Sequence, residues 1–434
     1  MVGQRIGSAP ISGGAVPRRK CSITSLTSGA GHVHRRRRGI TAGAGAVTAL
    51  ALVVGIAGTV EAADRAGGTD GGKRESARTR LYTPPANPDA YTQIGELVRA
   101  GRYRDAVGVA RMVTTPQAVW FNGNGDDGSV RREVARVVRD AARERALPVL
   151  ALYNVPGRDC SQYSAGGAAN TAEYTAWIDE VARGIGKRKA LVVLEPDSLA
   201  LLPSDCGQDD DEGTLTDARY REIGHAVETL AALPGTTVYL DAGHSNWHGV
   251  GSIVPRLVRA GVERTAGFYL NASNYRSDDE LAWYGTLVSG CLEHTLDGGD
   301  PASCPDQWTD RNDARAWLAA NVTPDPSDQP HFVTDTSRNG KGPWYPETDQ
   351  YPDPQDWCNP PDRGLGLRPT TRTGDPLHDA RLWIKIPGES DGECLRGTEG
   401  PEDPARGTID PPAGRWFPQQ ALELVRNAEP PLRP

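Results

Sequence analysis

The chain has 434 residues, 38% of them apolar, and a formal net charge of −8. Its 50 glycines and 34 prolines are scattered without a period, which excludes collagen and favours a loop-rich globular protein. Residues 1–62 hold eight Lys/Arg and one acid, so the remainder carries 40 basic against 55 acidic residues; a body that acidic repels phosphate backbones, and no nucleic-acid role is expected.

In chain order, Arg35–Arg38 precede an apolar stretch at 39–60 that exits through Val60, Glu61 and Ala62. This is the layout of a secretory signal, and export with cleavage is the expectation. An uncleaved membrane anchor holding the protein at the cell surface is the alternative, because the stretch approaches the ~20 residues a span needs. Residues 1–62 are therefore assigned to a signal peptide or anchor, 63–80 to a polar, Gly-rich flexible tether, and 81–434 to one catalytic barrel. Cys21 would leave with the signal. The six remaining cysteines suggest three disulfides in an oxidising compartment. Proximity makes Cys291–Cys304 the simplest pair, and the other four then favour Cys160–Cys206 and Cys358–Cys394. No two lie in C-x-x-C spacing, so no structural zinc is expected.

Short β-prone runs occur at 118–121, 149–153, 191–194, 238–240, 267–270, 331–334 and 382–386. Helical spacing separates most of them, at 130–146, 172–185, 216–233 and 313–320. Such alternation predicts an α/β fold with a parallel sheet, and seven strands suggest a closed or nearly closed β/α barrel. Acids and amides follow nearly every run. Asn122 follows the first, Asn154 and Asp159 the second, Glu195 and Asp197 the third, Asp241 and His244 the fourth, Asn271 and Asn274 the fifth, Asp335 and Arg338 the sixth. The seventh contains Lys385 and leads to Glu389 and Asp391. The carboxyl ends of barrel strands share one face, and that face holds the active site in barrel enzymes.

Metal binding is the poorer reading of these carboxylates. The run Asn122 to Gly128 resembles a calcium loop but lacks its downstream bidentate glutamate, and reads as a turn with a helix N-cap. His244 and His248 lack an H-E-x-x-H frame, so substrate-contacting or structural roles are expected. No nucleophile elbow and no P-loop is present, and neither a cofactor nor a metal is expected. Trp120, Tyr153, Trp247, Trp344 and Trp357 fall in or beside the strand exits. Flat rings next to carboxylates suit sugar faces and hydroxyls, and two carboxyls held apart around an acetal are what glycosidic hydrolysis needs.

The segments YNVPGRDC (153–160), VLEPD (193–197), DAGHSNW (241–247), NASNY (271–275), DTSRNG (335–340), DWCNP (356–360) and WIKIPGESDG (383–392) resemble the signature blocks of glycoside hydrolase family 6. They occur in family order over about residues 115–425. The resemblance implies a distorted seven-stranded parallel β/α barrel and an inverting β-1,4-glucanase. It implies that Asp197 is the general acid, kept protonated by Glu195 and Asp159, because nearby like charge raises a carboxyl pKa. Asp159 corresponds to a residue that moves the proton from the attacking water. Asp391 matches a residue proposed as base, acting directly or through a water chain. Inversion needs carboxyls about 6.5–9.5 Å apart. Tyr153 matches a tyrosine that crowds the sugar at the cleavage point. Lys385 and Glu389 match hydroxyl-binding residues, Trp120 and Trp357 look like sugar platforms, and Asp241, His244, Trp247 and Asn274 look like further subsite residues. Cys160–Cys206 and Cys358–Cys394 match the family's two disulfides.

The chain departs from the family pattern in three places. Ala165 stands where some members carry a serine that holds a water of the proton path, so Ser164 or Ser161 would have to serve. Segment 277–330 is long and carries the extra pair Cys291/Cys304. Segment 395–412 is also long, and is either a loop that roofs the cleft or a surface insertion. The sequence thus leads to an exported, monomeric, endo-acting hydrolase of cellulose or soluble β-1,4-glucan. The alternatives are an exo-acting cellobiohydrolase with a loop-covered tunnel and a non-catalytic glycan-binding protein.

Overall fold

The computed structural model describes residues 79–123, 129–323 and 325–432. The expected signal or anchor, almost all of the tether, and most of the turn at 122–128 lie outside these residues.

The sheet has seven parallel strands in sequential order: β1 (Val119–Phe121), β2 (Val149–Leu152), β3 (Ala190–Leu194), β4 (Thr236–Asp241), β5 (Gly267–Leu270), β6 (His331–Asp335) and β7 (His378–Leu382). Strands β2, β3 and β5 are buried along their whole length, which is why they read as unbroken apolar runs. β7 differs from expectation: it lies at 378–382 rather than 382–386. Its burial alternates residue by residue, and a bulge at Phe332/Val333 shifts its register with β6. A half-exposed edge strand is polar at every second position, so the apolar run just beyond it is the more conspicuous. That run crosses the open side of the sheet instead. Ala118 N–H donates to Trp383 O (2.9 Å) and the Trp120 indole N–H to Ile384 O (2.8 Å), drawing β1 toward the end of β7.

Nine helices are formed by the described residues: α1 (Pro88–Arg99), α2 (Tyr103–Val113), α3 (Ser129–Arg143), α4 (Thr171–Ile185), α5 (Thr214–Ala231), α6 (Val250–Arg259), α7 (Asp278–Leu296), α8 (Arg311–Asn321) and α9 (Pro418–Arg426). α3, α4, α5 and α8 fall where the periodicity places them, and the others are not predicted by it. α7 is buried around most of its circumference and so shows little periodicity; its Ser277–Glu280 capping box fixes its start. Much of the long 277–330 segment is thus α7 and α8, and Cys291–Cys304 ties the loop between them back to α7.

Three apolar clusters result. Ala151, Val193, Tyr239, Tyr269 and Val333 point inside the curled sheet. The alternate strand residues, Leu150, Val192, Leu240, Phe268 and Phe332, pack outward against α3 to α7. α1, α2 and α9 form a third cluster with Trp383 and Trp416 beside the open edge. All three expected disulfides are present: Cys160–Cys206, Cys291–Cys304 and Cys358–Cys394. No helix among the described residues is long and apolar enough to cross a membrane.

Candidate active site

A cleft of about 700 Å³ opens at the strand exits. Its walls carry Trp120, Tyr153, Asp159, Asp197, His244, Trp247, Asn274, Trp357, Lys385 and Glu389. Of the site residues the sequence singles out, Asp241 and Asp391 stand behind those walls instead.

Asp197 sits in the sharp turn that ends β3. The turn holds Glu195 at φ 50° and Asp197 at φ 66°, left-handed conformations that cost energy and persist only where the surroundings fix them. The surroundings do so with buried charged groups. The Glu195 carboxylate accepts the N–H of Asn154 (2.6 Å) and Val155 (3.0 Å). The Asp241 carboxylate accepts those of Leu199 (3.1 Å), Ala200 (2.8 Å) and Gly243 (3.1 Å). The buried Arg219 of α5 donates to Ser198 O (3.0 Å) and Pro156 O (2.9 Å), joining the Asp197 turn to the loop that leads to Asp159. Asp241 therefore organises the backbone around this turn from behind the cleft wall, its oxygens engaged by three N–H groups.

Burial, then repulsion from Asp241 and Asp159, pushes the Asp197 carboxyl well above the ordinary carboxylate range, with Lys385 opposing. The expected neighbour Glu195 is replaced in this role by Asp241; Glu195 faces the 154–155 backbone and is itself pushed up by burial to about 7. Asp159, at φ 58°, is also raised by burial, to about 6. Ser164 meets it through the backbone, its N–H donating to Oδ2 at 2.6 Å. Arg158 braces this loop by donating to Tyr153 O (2.6 Å), Asn122 O (2.9 Å) and Ser164 O (2.9 Å), with its guanidinium 4.8 Å from the Tyr153 ring centre.

Asp391 lives in the opposite environment. Arg338 donates to it at 2.7 Å, Lys385 pairs with it at 3.0 Å, and Tyr275 (3.2 Å) and the Asn359 N–H (3.0 Å) complete the shell. Burial opposes ionisation here, but the two cations and these donors overcome it and hold the carboxyl down at about 2. Asn359 also receives the Asp391 N–H (2.8 Å), so one residue grips Asp391 from front and back.

Among the other cleft-lining groups, Trp120 meets Tyr153 edge to face at 5.4 Å. Glu389 accepts from Asn87 (3.0 Å) and is raised by burial. His244 is lowered to about 3 by burial, then by Arg276 and His248, so its ring is neutral. Its Nδ1 accepts the Asn246 N–H (3.2 Å), which makes Nε2 the protonated nitrogen and a donor toward the cleft. His248 turns away to the Ala200 carbonyl (2.6 Å), a structural role. Gly243, at φ 62°, lets this loop close: a Cβ there would lie 3.0 Å from Ala200 and 3.2 Å from the Trp247 ring.

Sequence reasoning gives no role to Arg158, Arg219 or Arg338. Each is a buried cation with at least one partner far along the chain, Asn122 for Arg158, Pro156 for Arg219 and Asp391 for Arg338, and only Arg158 and Arg338 lie inside a family-like block. Tyr163 escapes it too. Its hydroxyl donates to Gln355 Oε1 (3.1 Å) and accepts the Leu395 N–H (2.8 Å), linking the loop after β2 to the loops after β6 and β7. Segment 395–412 is a packed strap, neither loose nor lining the cleft. Its Arg396–Asp403 ion pair is fully buried (2.7 Å) and its Asp410 is buried against Asn359 (2.8 Å). Among the described residues one trio has metal-ligand spacing, Cys394, Asp403 and Asp410, but that cysteine is in a disulfide and Asp403 is paired with Arg396.

Residues 76–428 match the family model for glycosyl hydrolases family 6. Endoglucanase A of Cellulomonas fimi is 35% identical over 340 residues, which cover 78% of this chain and 60% of that protein's length. Endoglucanase 1 of Streptomyces sp. (strain KSM-9) is 34% identical over 361 residues, covering 83% and 81%. The 1,4-β-D-glucan cellobiohydrolase CEL6A of Podospora anserina is 30% identical over 348 residues, covering 75% and 68%. Among solved structures, the endoglucanase Cel6 of Mycobacterium tuberculosis, in complex with methyl-cellobiosyl-4-deoxy-4-thio-β-D-cellobioside, superposes with a TM-score of 0.62 at 35% identity. The match covers 81% of this chain and 98% of that one. With a family match across most of its length and an architecture shared with solved members, the chain belongs to glycosyl hydrolase family 6.

Proposed function

We propose that the protein is an exported, inverting β-1,4-glucanase that hydrolyses cellulose or soluble β-1,4-glucan by endo attack. The observation that carries this reading is Asp197: a carboxyl on the cleft wall, fixed by a clamped turn and kept protonated by burial and by Asp241 and Asp159. A neutral carboxyl there can protonate the leaving glycosidic oxygen. Asp159, on the wall and raised to about 6, suits a group that takes a proton from water near neutral pH and returns it. Asp391, ionised and saturated with donors, is a weak base. Its part is to hold negative charge behind Lys385 and to receive a proton only at the end of a relay. Trp120 and Tyr153 form one ring pair on the cleft wall and His244 and Trp247 another, so a chain of sugars would lie against these rings with Asp197 beside it.

Endo action rests on the relatives from Cellulomonas fimi and Streptomyces being endoglucanases. The Tyr163 tie between the loops after β2 and β7 favours a second reading, exo action under a partial roof. The three disulfides suit an oxidising compartment and support export. NMR of cellohexaose hydrolysis tests the mechanism: an α-configured first product is expected, and a β-configured one would refute inversion. Viscometry on carboxymethyl cellulose tests the mode. Rapid viscosity loss with few new reducing ends supports endo attack, and slow loss with cellobiose release supports the exo reading. Binding without product would leave the glycan-binding protein.

A further inference from the structure

We propose that Trp308 is an outlying sugar platform that extends the cleft beyond the loop carrying His244 and Trp247, and that its ligand is a β-1,4-glucan chain too long for the cleft itself. The inference rests on the glucanase reading above. Trp308 is 64% exposed, and it is the one tryptophan of ten that the fold leaves exposed. A lone apolar surface residue needs no explanation by itself, but the seat of this one does. The two residues before it are both used to fasten it to the cleft wall. The Asp306 carboxylate accepts the Val250 N–H (2.7 Å) at the first residue of α6. The Gln307 amide donates to Ser245 O (2.9 Å) and His248 O (3.0 Å), on either side of Trp247. Behind them, Cys304 is bonded to Cys291 of α7.

The position follows from topology. α6 follows β4 and returns antiparallel to it, so the N-terminus of α6 lies at the strand-exit face where the cleft opens. Asp306 caps that end, and Trp308, two residues further on, is therefore held at the same face beside the 244–248 segment. Ser245 is buried, so the carbonyl that Gln307 binds belongs to a fixed part of the wall. An exposed ring on a cross-linked, hydrogen-bonded seat loses little freedom when a pyranose stacks on it.

The test compares the wild type with Trp308→Ala and Trp308→Tyr. With Trp308→Ala the KM for hydroxyethyl cellulose should rise about five-fold, the factor expected of one aromatic contact, while kcat and the KM for cellotetraose stay unchanged. Trp308→Tyr should keep most of the wild-type KM. Unchanged KM for the polymer, or an equal rise for polymer and cellotetraose, overturns the platform. The glucanase reading fails separately, if the wild type releases no reducing ends. Migration through a gel containing hydroxyethyl cellulose then still decides about Trp308: retarded wild type with free-running Trp308→Ala supports the platform, and equal mobility overturns it.

Discussion

Two aspartates of the site, one on the cleft wall and one behind it, are driven in opposite directions. Asp197 has acids for neighbours, Asp241 and Asp159, and its carboxyl is pushed far up. Asp391 is buried behind the cleft wall, yet Arg338 and Lys385 hold it at about 2. Burial penalises both anions, so the difference comes from the sign of the charges each one faces. Carboxylate count at a barrel rim therefore says little about acid and base roles. The charges behind the rim divide them: where arginine and lysine close on a carboxylate, as Arg338 and Lys385 do on Asp391, it stays an anion, and where like charge is the nearer, as Asp241 and Asp159 are to Asp197, the acid keeps its proton.

The largest effect should come from removing the protonated partner. Asp197→Ala should lower kcat on cellotetraose by roughly 10²–10⁴-fold, the range for a lost general acid, while calorimetry shows the oligosaccharide still bound. An unchanged kcat would contradict the acid assignment and erase the contrast.

Breaking the other half should act on stability first. Arg338→Met leaves the buried Asp391 with one cation and should cost about 3–5 kcal/mol at pH 7, as for other buried pairs cut on one side. Asp391 has a folded pKa below its unfolded value, so its stabilisation is full above about pH 4 and fades as pH falls toward 2. Denaturant titrations of wild type and variant should therefore converge on acidification. A gap that stays constant between pH 5 and pH 2.5 would mean that Arg338 acts through its other partner, the Ser273 carbonyl.

The sequence exposes one side of this contrast better than the other. Buried parallel strands are apolar runs, so β2 to β6 and the acids at their exits are legible from pattern alone, and the family resemblance adds candidate roles for those acids. What stays hidden is direction. Asp241 and Asp197 stand at equivalent strand exits, and nothing in either motif says that one will spend its oxygens on three backbone N–H groups while the other faces the cleft. That outcome depends on where residues 199, 200 and 243 bring their amides. β7 is misplaced for a similar reason: its exposure is set by the gap beside it, which no local window contains. The arginines are legible as residues but not as partners, since Arg338 lies 53 positions from Asp391.

Asp241→Asn sharpens the acid half. Removing its charge removes the largest like-charge contribution at Asp197 and should bring that pKa down. A general acid must be protonated to act, so the basic limb of the kcat/KM profile should move to lower pH. Activity at alkaline pH should then fall about ten-fold for every pH unit the limb moves. At pH 5 the variant should approach the wild type. A uniform loss at every pH would instead assign Asp241 a purely structural part, through the amides it binds.

The smallest effect is expected behind Asp391. Asp410 donates nothing to the cleft; it accepts from the Asn359 amide (2.8 Å), the same side chain that grips Asp391, and its other oxygen is buried without a partner. Burial, then repulsion from Asp403, against attraction from Asn359, Arg406 and Arg396, pushes it up to about 7. For a carboxyl raised on folding the sign runs the other way from Asp391. The folded state prefers the proton, so stability is highest below about pH 4, declines as pH rises toward 7, and is level above that. Asp410→Asn removes this titration and keeps an oxygen to accept from Asn359. Its melting temperature should therefore fall less than that of the wild type between pH 5 and pH 8, with the curves crossing or converging on the alkaline side. Because Asn359 holds both the N–H and the carboxylate of Asp391, the acid denaturation midpoint, which follows Asp391, reports whether the grip has changed. It should stay in place if Asp391 is governed by its two cations, and a midpoint displaced in Asp410→Asn would show that the strap at 395–412 sets the charge of Asp391 as well.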